Sequence, residues 1–190
     1  MAPNDDLPAA LAENLDDSFE RLVIAYQDRL YGFALRLSGC PADAEDIAQD
    51  AFVRAYRALA RFPAERIRAL AVKAWLFQIT LNVFRNRYRD RQPESVPLRG
   101  SDGEIAFDPP DEGAGPETLA ERRETGADLA ARLLALPERY RVAVILRHVH
   151  GIGYGEIGVT LGQPVGTVKS NVHRGTKLLR EQLIGPGLAS

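Results

Sequence analysis

Cysteine is nearly absent. Cys40 is the only one in 190 residues, which excludes an internal disulfide framework and any multi-cysteine zinc site and fits a reducing interior. Long hydrophobic runs are missing too. The longest apolar stretch of note, VAVIL at 142–146, is far too short to cross a bilayer, and the acidic N-terminus is unlike a secretion signal. The expected location is therefore the cytoplasm, with no membrane insertion. The period-two alternation of half-buried strands occurs nowhere, and no internal repeat is evident. What remains is a chain with 45% apolar residues, enough for packed cores, and a helical period through most of its length.

A large charge of one sign is also missing, since the net charge is only −2. Counted by segment, however, the charge is blocked rather than absent. Residues 1–53 hold 3 basic and 11 acidic groups, and 54–91 hold 10 and 2; residues 92–128 return to 3 and 10, and 129–190 hold 8 and 3. Two basic blocks separated by an acidic one predict two polyanion-binding surfaces, with the acidic segments facing other partners.

The strongest local pattern runs from Leu136 to Leu183. It reads as a short helix, a Gly162-Gln163-Pro164 turn and a longer basic helix, the layout of a helix-turn-helix whose second helix enters a DNA major groove. Gly162 suits a left-handed cap, and Pro164 suits the first turn of the next helix. Beyond the turn, Val165, Val168, Val172, Gly175 and Leu179 recur at three- and four-residue steps and form a stripe to be buried. The opposite arc carries Thr167, Ser170, Arg174 and Lys177, flanked by Lys169, Asn171 and His173, a mixture of phosphate binders and side chains able to read base edges.

Upstream, Phe19, Leu22, Val23, Tyr26, Leu30, Phe33 and Leu37 predict a helix from Asp17 to Leu37, closed by Ser38-Gly39. A second helix starts near Pro41, buries Ala44, Ile47, Ala48, Ala51, Ala55, Leu59 and Phe62, and stops at Pro63. After a connection of about a dozen residues, a third begins near Trp75 and ends in the arginine-rich RNRYRDR. Trp75 lies in the apolar stripe beside Leu76 and Ile79, which favours a core role over a stacking platform. Residues 92–116 contain five prolines and much Gly, Asp and Glu, and read as a solvated linker. Helical pattern resumes from Glu117, and Pro137 opens a further helix that stops at Gly151. The expected fold is all-α: two small helical domains, 1–91 and 117–190, joined by a flexible acidic linker, with the helix-turn-helix in the second.

Taken in order, DAEDIAQDAFVRAYRALARF, WLFQITLNVFRNRYRDR, LPERYRVAVIL and GTVKSNVHRG resemble the extracytoplasmic-function (ECF) sigma factors of the sigma-70 family. The match covers both domains. The resemblance implies a specificity subunit of bacterial RNA polymerase, with one domain on the minus-10 promoter element and the other on the minus-35 element. It implies that the helix from Asp43 to Phe62 docks on a coiled coil in the clamp of the largest polymerase subunit. Asp43, Asp46, Gln49, Asp50 and Val53 share one arc away from the buried stripe and suit such a contact, although acidic groups in a first helical turn also favour the macrodipole.

The helix from Trp75 to Arg91 resembles the minus-10 reader and strand-separating element. Arg85, Arg87, Arg89 and Arg91 supply a phosphate-binding surface, and Asn82 and Asn86 can pair with base edges. The loop from Pro63 to Lys73 departs from the family pattern by a few extra residues, so its base-pocket residues stay unassigned. In the second domain the resemblance places Thr167, Lys169, Ser170, Asn171, His173, Arg174 and Lys177 on the minus-35 duplex. Asn171 stands where arginine is commoner, which points to an altered promoter preference. The acidic linker is either a tether or a segment that threads near the active-site cleft. Many family members are held inactive by an anti-sigma factor, but no motif here identifies one. No cofactor is implied.

Three rival readings stay open, one of them a purely interacting helical adaptor, which the two basic blocks argue against. An enzyme using Asp43, Glu45, Asp46 and Asp50 as ligands or acid–base groups lacks a companion nucleophile, and His148 and His150, two apart, do not share a helical face. A stand-alone helix-turn-helix repressor would have no need of a basic, amide-rich first domain.

Overall fold

The computed structural model describes residues 6–90, 126 and 128–184. All regular structure among them is helical. The N-terminal half contains α1 (Leu7–Glu13), α2 (Leu15–Ser38), α3 (Pro41–Leu59), α4 (Ala64–Arg68) and α5 (Val72–Asp90). The C-terminal half contains α6 (128–135), α7 (Glu138–Val144), α8 (Tyr154–Leu161) and α9 (Val165–Ile184). Arg91, the linker at 92–116 and the helical start at Glu117 lie outside the described residues.

Helix α2 begins with an Asn14 cap, whose side-chain oxygen accepts the Asp17 backbone N–H at 3.3 Å, and ends at Gly39 with φ 71°. Its stripe Leu22, Tyr26, Leu30, Phe33 and Leu37 is buried against α3 and α5. From α3 come Ile47 and Leu59 together with Ala44, Ala48, Ala51 and Ala55, whose small side chains let the helices approach closely. From α5 come Leu76, Phe77, Leu81, Val83 and Phe84. Phe33 meets Phe77 edge to face, with ring centroids 5.0 Å apart.

Two elements of the structure have no counterpart in the sequence pattern. Helix α1 buries Leu7 and Leu11 and packs along α2 and α4, and α4 buries Ile67. Seven and five residues are too short to display a helical period of their own, so only tertiary packing defines them. A third departure follows α7, which runs on into a π-helical turn over Ile145–Val149 before Gly151 at φ 62°. The wider turn leaves Ile145 and Leu146 buried and delivers His150 away from the helix axis.

In the C-terminal half, α9 lies across α7 and α8. Val168, Val172, Gly175 and Leu179 are buried as the stripe requires. Val165, expected in that stripe, is 42% exposed, because the helix starts there and its first turn overhangs the turn before it. At Gly175 a Cβ would sit 2.6 Å from Val144 Cγ2 and 3.2 Å from Tyr140 Cβ, so this glycine permits the close crossing of α9 over α7.

The two halves touch. Leu134 of α6 packs so tightly on Gly39 that a Cβ there would lie 2.6 Å from Leu134 Cδ1. Lys73 Nζ donates to the His150 carbonyl at 2.6 Å, and the Thr160 hydroxyl, shared with the Glu156 carbonyl at 2.9 Å, also reaches the Ala74 carbonyl at 3.3 Å. Arg85 pairs with Glu138 at 2.8 Å. Buried residues of both halves join in a single apolar cluster.

Candidate nucleic-acid interface

The turn between α8 and α9 is built as the sequence requires: Gly162 has φ 61° and caps α8, and the Pro164 carbonyl accepts the Val168 N–H at 3.1 Å to start α9. On α9, Thr167, Lys169, His173, Arg174 and Lys177 are exposed along one side, and Ser170 is half-buried. Lys169 also lies 5.8 Å from the Tyr154 ring centroid, and Lys177 stands 3.8 Å from Glu181. The Arg174 and Arg139 guanidiniums beside Tyr140 hold that phenol below its ordinary value, and Arg139 donates to its hydroxyl at 3.1 Å.

Asn171 departs from expectation. It is 8% exposed, and its amide nitrogen donates to Gln163 Oε1 at 3.2 Å. One residue before the buried Val172, it turns back toward the α8–α9 turn and ties that turn to the helix. Its amide is directed at the protein's own turn rather than outward.

In the first half, Asn82, Arg85 and Arg89 are exposed on α5, and Asn86 and Arg87 are half-buried. Asp43, expected on the outward arc of α3, is 8% exposed; it accepts the Tyr88 hydroxyl at 3.1 Å and meets Arg87 at 3.2 Å. Asp46 reaches the same guanidinium at 2.6 Å. Arg87 is therefore committed to an α3–α5 clasp. Gln49, Asp50 and Val53 remain exposed on α3, with Asp50 3.2 Å from Arg54 on the next turn.

The structure also forms a basic face: Arg54, Arg57, Arg61, Arg66 and Arg68 are all exposed around the end of α3 and α4. The charge count marked this block, but without a continuous helix there was no period to assign the arginines to a face. Arg66 stacks on Phe62 with its guanidinium carbon 3.7 Å from the ring centroid, and Phe62 lies 6.0 Å from Trp75. Trp75 is half-buried against the core and also lines a cleft of about 290 Å³ with Arg66, Leu70, Gln78, Val159 and Thr160.

Two family models match this arrangement: Sigma-70 region 2 over residues 22–94 and Sigma-70 region 4 over residues 127–179. The chain is also 34% identical over 175 residues to the ECF RNA polymerase sigma factor SigW of Bacillus subtilis, covering 88% of this chain and 89% of that protein. The chain belongs to the ECF sigma factors.

It is likewise 38% identical over 169 residues to the ECF RNA polymerase sigma factor SigE of Mycolicibacterium smegmatis, covering 87% of this chain and 62% of that longer protein. Two solved structures share the fold with a TM-score of 0.69 and 26% identity. One is CnrH in complex with the cytosolic domain of CnrY, with 95% of this chain and 97% of that chain covered. The other is the sigma factor RpoE with the anti-sigma factor NepR from Bartonella quintana, with 88% and 98% covered. In this ECF sigma factor the region 2 match runs from Leu22 in α2 through α3, α4 and α5, and the region 4 match takes in α6, α7, α8 and most of α9. No helix among the described residues is long and apolar enough to cross a membrane.

Proposed function

We propose that this sigma factor binds core RNA polymerase through the exposed face of α3, led by Gln49, Asp50 and Val53, and docks on the clamp coiled coil of the largest subunit. The division of labour follows the chain: residues 1–91 for polymerase and the minus-10 element, 92–116 as the acidic link, and 117–190 for the minus-35 element. Asn82, Arg85, Asn86 and Arg89, with Arg91 beyond them, hold the opened strand. Arg87 contributes as the brace between α3 and α5. Thr167, Lys169, Ser170, His173, Arg174 and Lys177 meet the minus-35 duplex, with Asn171 setting the turn beneath them. The protein works in the cytoplasm by recognition and strand capture, without catalysis of its own. An anti-sigma factor is a fitting partner, because the sigma factor RpoE of Bartonella quintana, which shares this fold, was solved with the anti-sigma factor NepR bound.

The observation that carries this reading is the pairing, within one chain, of a capped helix-turn-helix with an exposed basic face and an arginine-rich helix carrying outward amides. A stand-alone repressor would use only the first. Transcription in vitro with core polymerase on a randomised promoter library tests it: initiation from a defined two-element subset is expected. Tight duplex binding by the protein alone, with no polymerase-dependent initiation, would favour the repressor.

A further inference from the structure

The contact between the halves has an unusual centre. The His150 ring lies 4.4 Å from the Phe77 centroid and 5.6 Å from the Phe33 centroid, inserted between α5 and α2 of the opposite half. Its carbonyl is gripped by Lys73, and its Nε2 is buried with no hydrogen-bond partner, although the residue as a whole is only half-buried. The charged groups that face it are all cationic: Arg29 and Arg36 from α2 and Lys73 from α5. On the C-terminal side, Glu156 of α8 acts on Lys73, and Arg147 is turned to the Ile152 carbonyl and the Tyr154 ring. An imidazole fits this socket only when neutral, since a charged ring would lose water on an apolar wall and gain cations as neighbours.

We propose that His150 is a proton-sensitive latch holding regions 2 and 4 together in the free protein, and that its protonation releases them. Burial first, then Arg36, Lys73 and Arg29, pushes the imidazole from its ordinary 6.5 down to about 3 in the closed arrangement. In the open arrangement those causes vanish. The closed state therefore carries no penalty above the ordinary value and loses ground as pH falls from there toward the depressed one. The latch has a consequence for recognition. When it is shut, Val159 and Thr160 of α8 wall the cleft that Arg66, Leu70 and Trp75 form at the loop before α5, and Glu138 holds Arg85. Region 2 surface next to the minus-10 helix is thus covered until the latch opens. The latch itself does not depend on which promoter is read; its effect on recognition rests on the function proposed above.

The test uses the full chain with dyes at Arg21→Cys and Arg180→Cys in a Cys40→Ser background, followed by single-molecule energy transfer between pH 7.5 and 5.5. The closed-to-open ratio is expected to fall about tenfold across that window. His150→Phe keeps an aromatic plug without a titrating nitrogen, and should leave the ratio flat; His150→Leu replaces it should the larger ring distort the socket. A Glu138→Ala background, lacking the outer ion pair, brings the ratio into range if the wild type is almost wholly closed. A ratio that pH leaves unchanged in both backgrounds overturns the latch. So does an equal fall in the His150→Phe or His150→Leu chain. Failure of promoter initiation with an intact pH response would instead count against the function alone.

Discussion

Arg87 shows how far single residues can be read from spacing. Its place in RNRYRDR made it one of four alternating arginines, and Asp43 and Asp46 made up an acidic arc on another helix. Periodicity assigns both to outer faces, but cannot say that the two outer faces meet. In the structure they do, across more than forty positions of sequence, with Asp43 only 12% exposed at its side chain and Arg87 31%. Arg87→Ala should therefore act on the free protein. It leaves a nearly buried carboxylate with only part of its hydrogen bonding, at a cost of about 1–3 kcal/mol, and Arg87→Lys recovers part of that. Urea unfolding of the full chain reads this directly. An Arg87→Ala chain as stable as the parent, but weak in strand opening, would return Arg87 to the DNA-facing set.

Among the elements, those with long runs were legible from sequence and those defined by packing were not. The turn from Gly162 to Pro164 and the buried positions of α2, α3 and α9 follow from punctuation and period. The short helices α1 and α4 and the π turn at Ile145–Val149 do not, because their conformation depends on partners remote in sequence. Helix α8 divides in the same way. Its glycines look uniformly unfavourable from propensity, yet a Cβ at Gly155 meets nothing within 4 Å whereas one at Gly158 would stand 2.9 Å from the Gln163 carbonyl oxygen. Gly155→Ala is accordingly expected to stabilise region 4 by about 0.5–1 kcal/mol. Gly158→Ala should destabilise it by about 1–3 kcal/mol, as the turn into α9 is forced outward. Thermal melts of the two variants should move in opposite directions, and a common direction would mean the α8–α9 approach is looser than the geometry implies. On α9 itself, removing one phosphate-facing cation by Arg174→Ala should flatten the salt dependence of minus-35 binding by about 0.9 in the log–log slope. An unchanged slope would confine Arg174 to its contact with Tyr140.

At the scale of the whole molecule, the sequence predicts two helical bodies and a linker between them, and the residues of both cores were legible. Their contact was not, because His150, Lys73, Thr160 and Leu134 carry no mark in sequence that distinguishes an interface from a surface. The closed arrangement conflicts geometrically with the proposed task. A compact chain of this length has a radius of gyration of about 16 Å. Minus-10 and minus-35 elements stand roughly 25 base pairs apart, or about 85 Å along a duplex at ~3.4 Å per pair. The 25 residues at 92–116 can reach about 85 Å when extended, so they suffice to bridge that gap once regions 2 and 4 separate. Binding to core polymerase should thus pull the halves apart. With dyes at Arg21→Cys and Arg180→Cys, energy transfer is expected to be high in the free chain and nearly lost in the holoenzyme. Asp50→Arg reverses a charge on the exposed face of α3 without disturbing a buried contact, and should abolish both co-purification with core enzyme and the loss of transfer, leaving the free-state signal unaltered. If the Asp50→Arg chain still opens on core polymerase, the docking surface lies elsewhere than α3. Should the parent chain bind core and initiate while transfer stays high, regions 2 and 4 remain joined on the enzyme and cannot both occupy elements so far apart on a straight duplex.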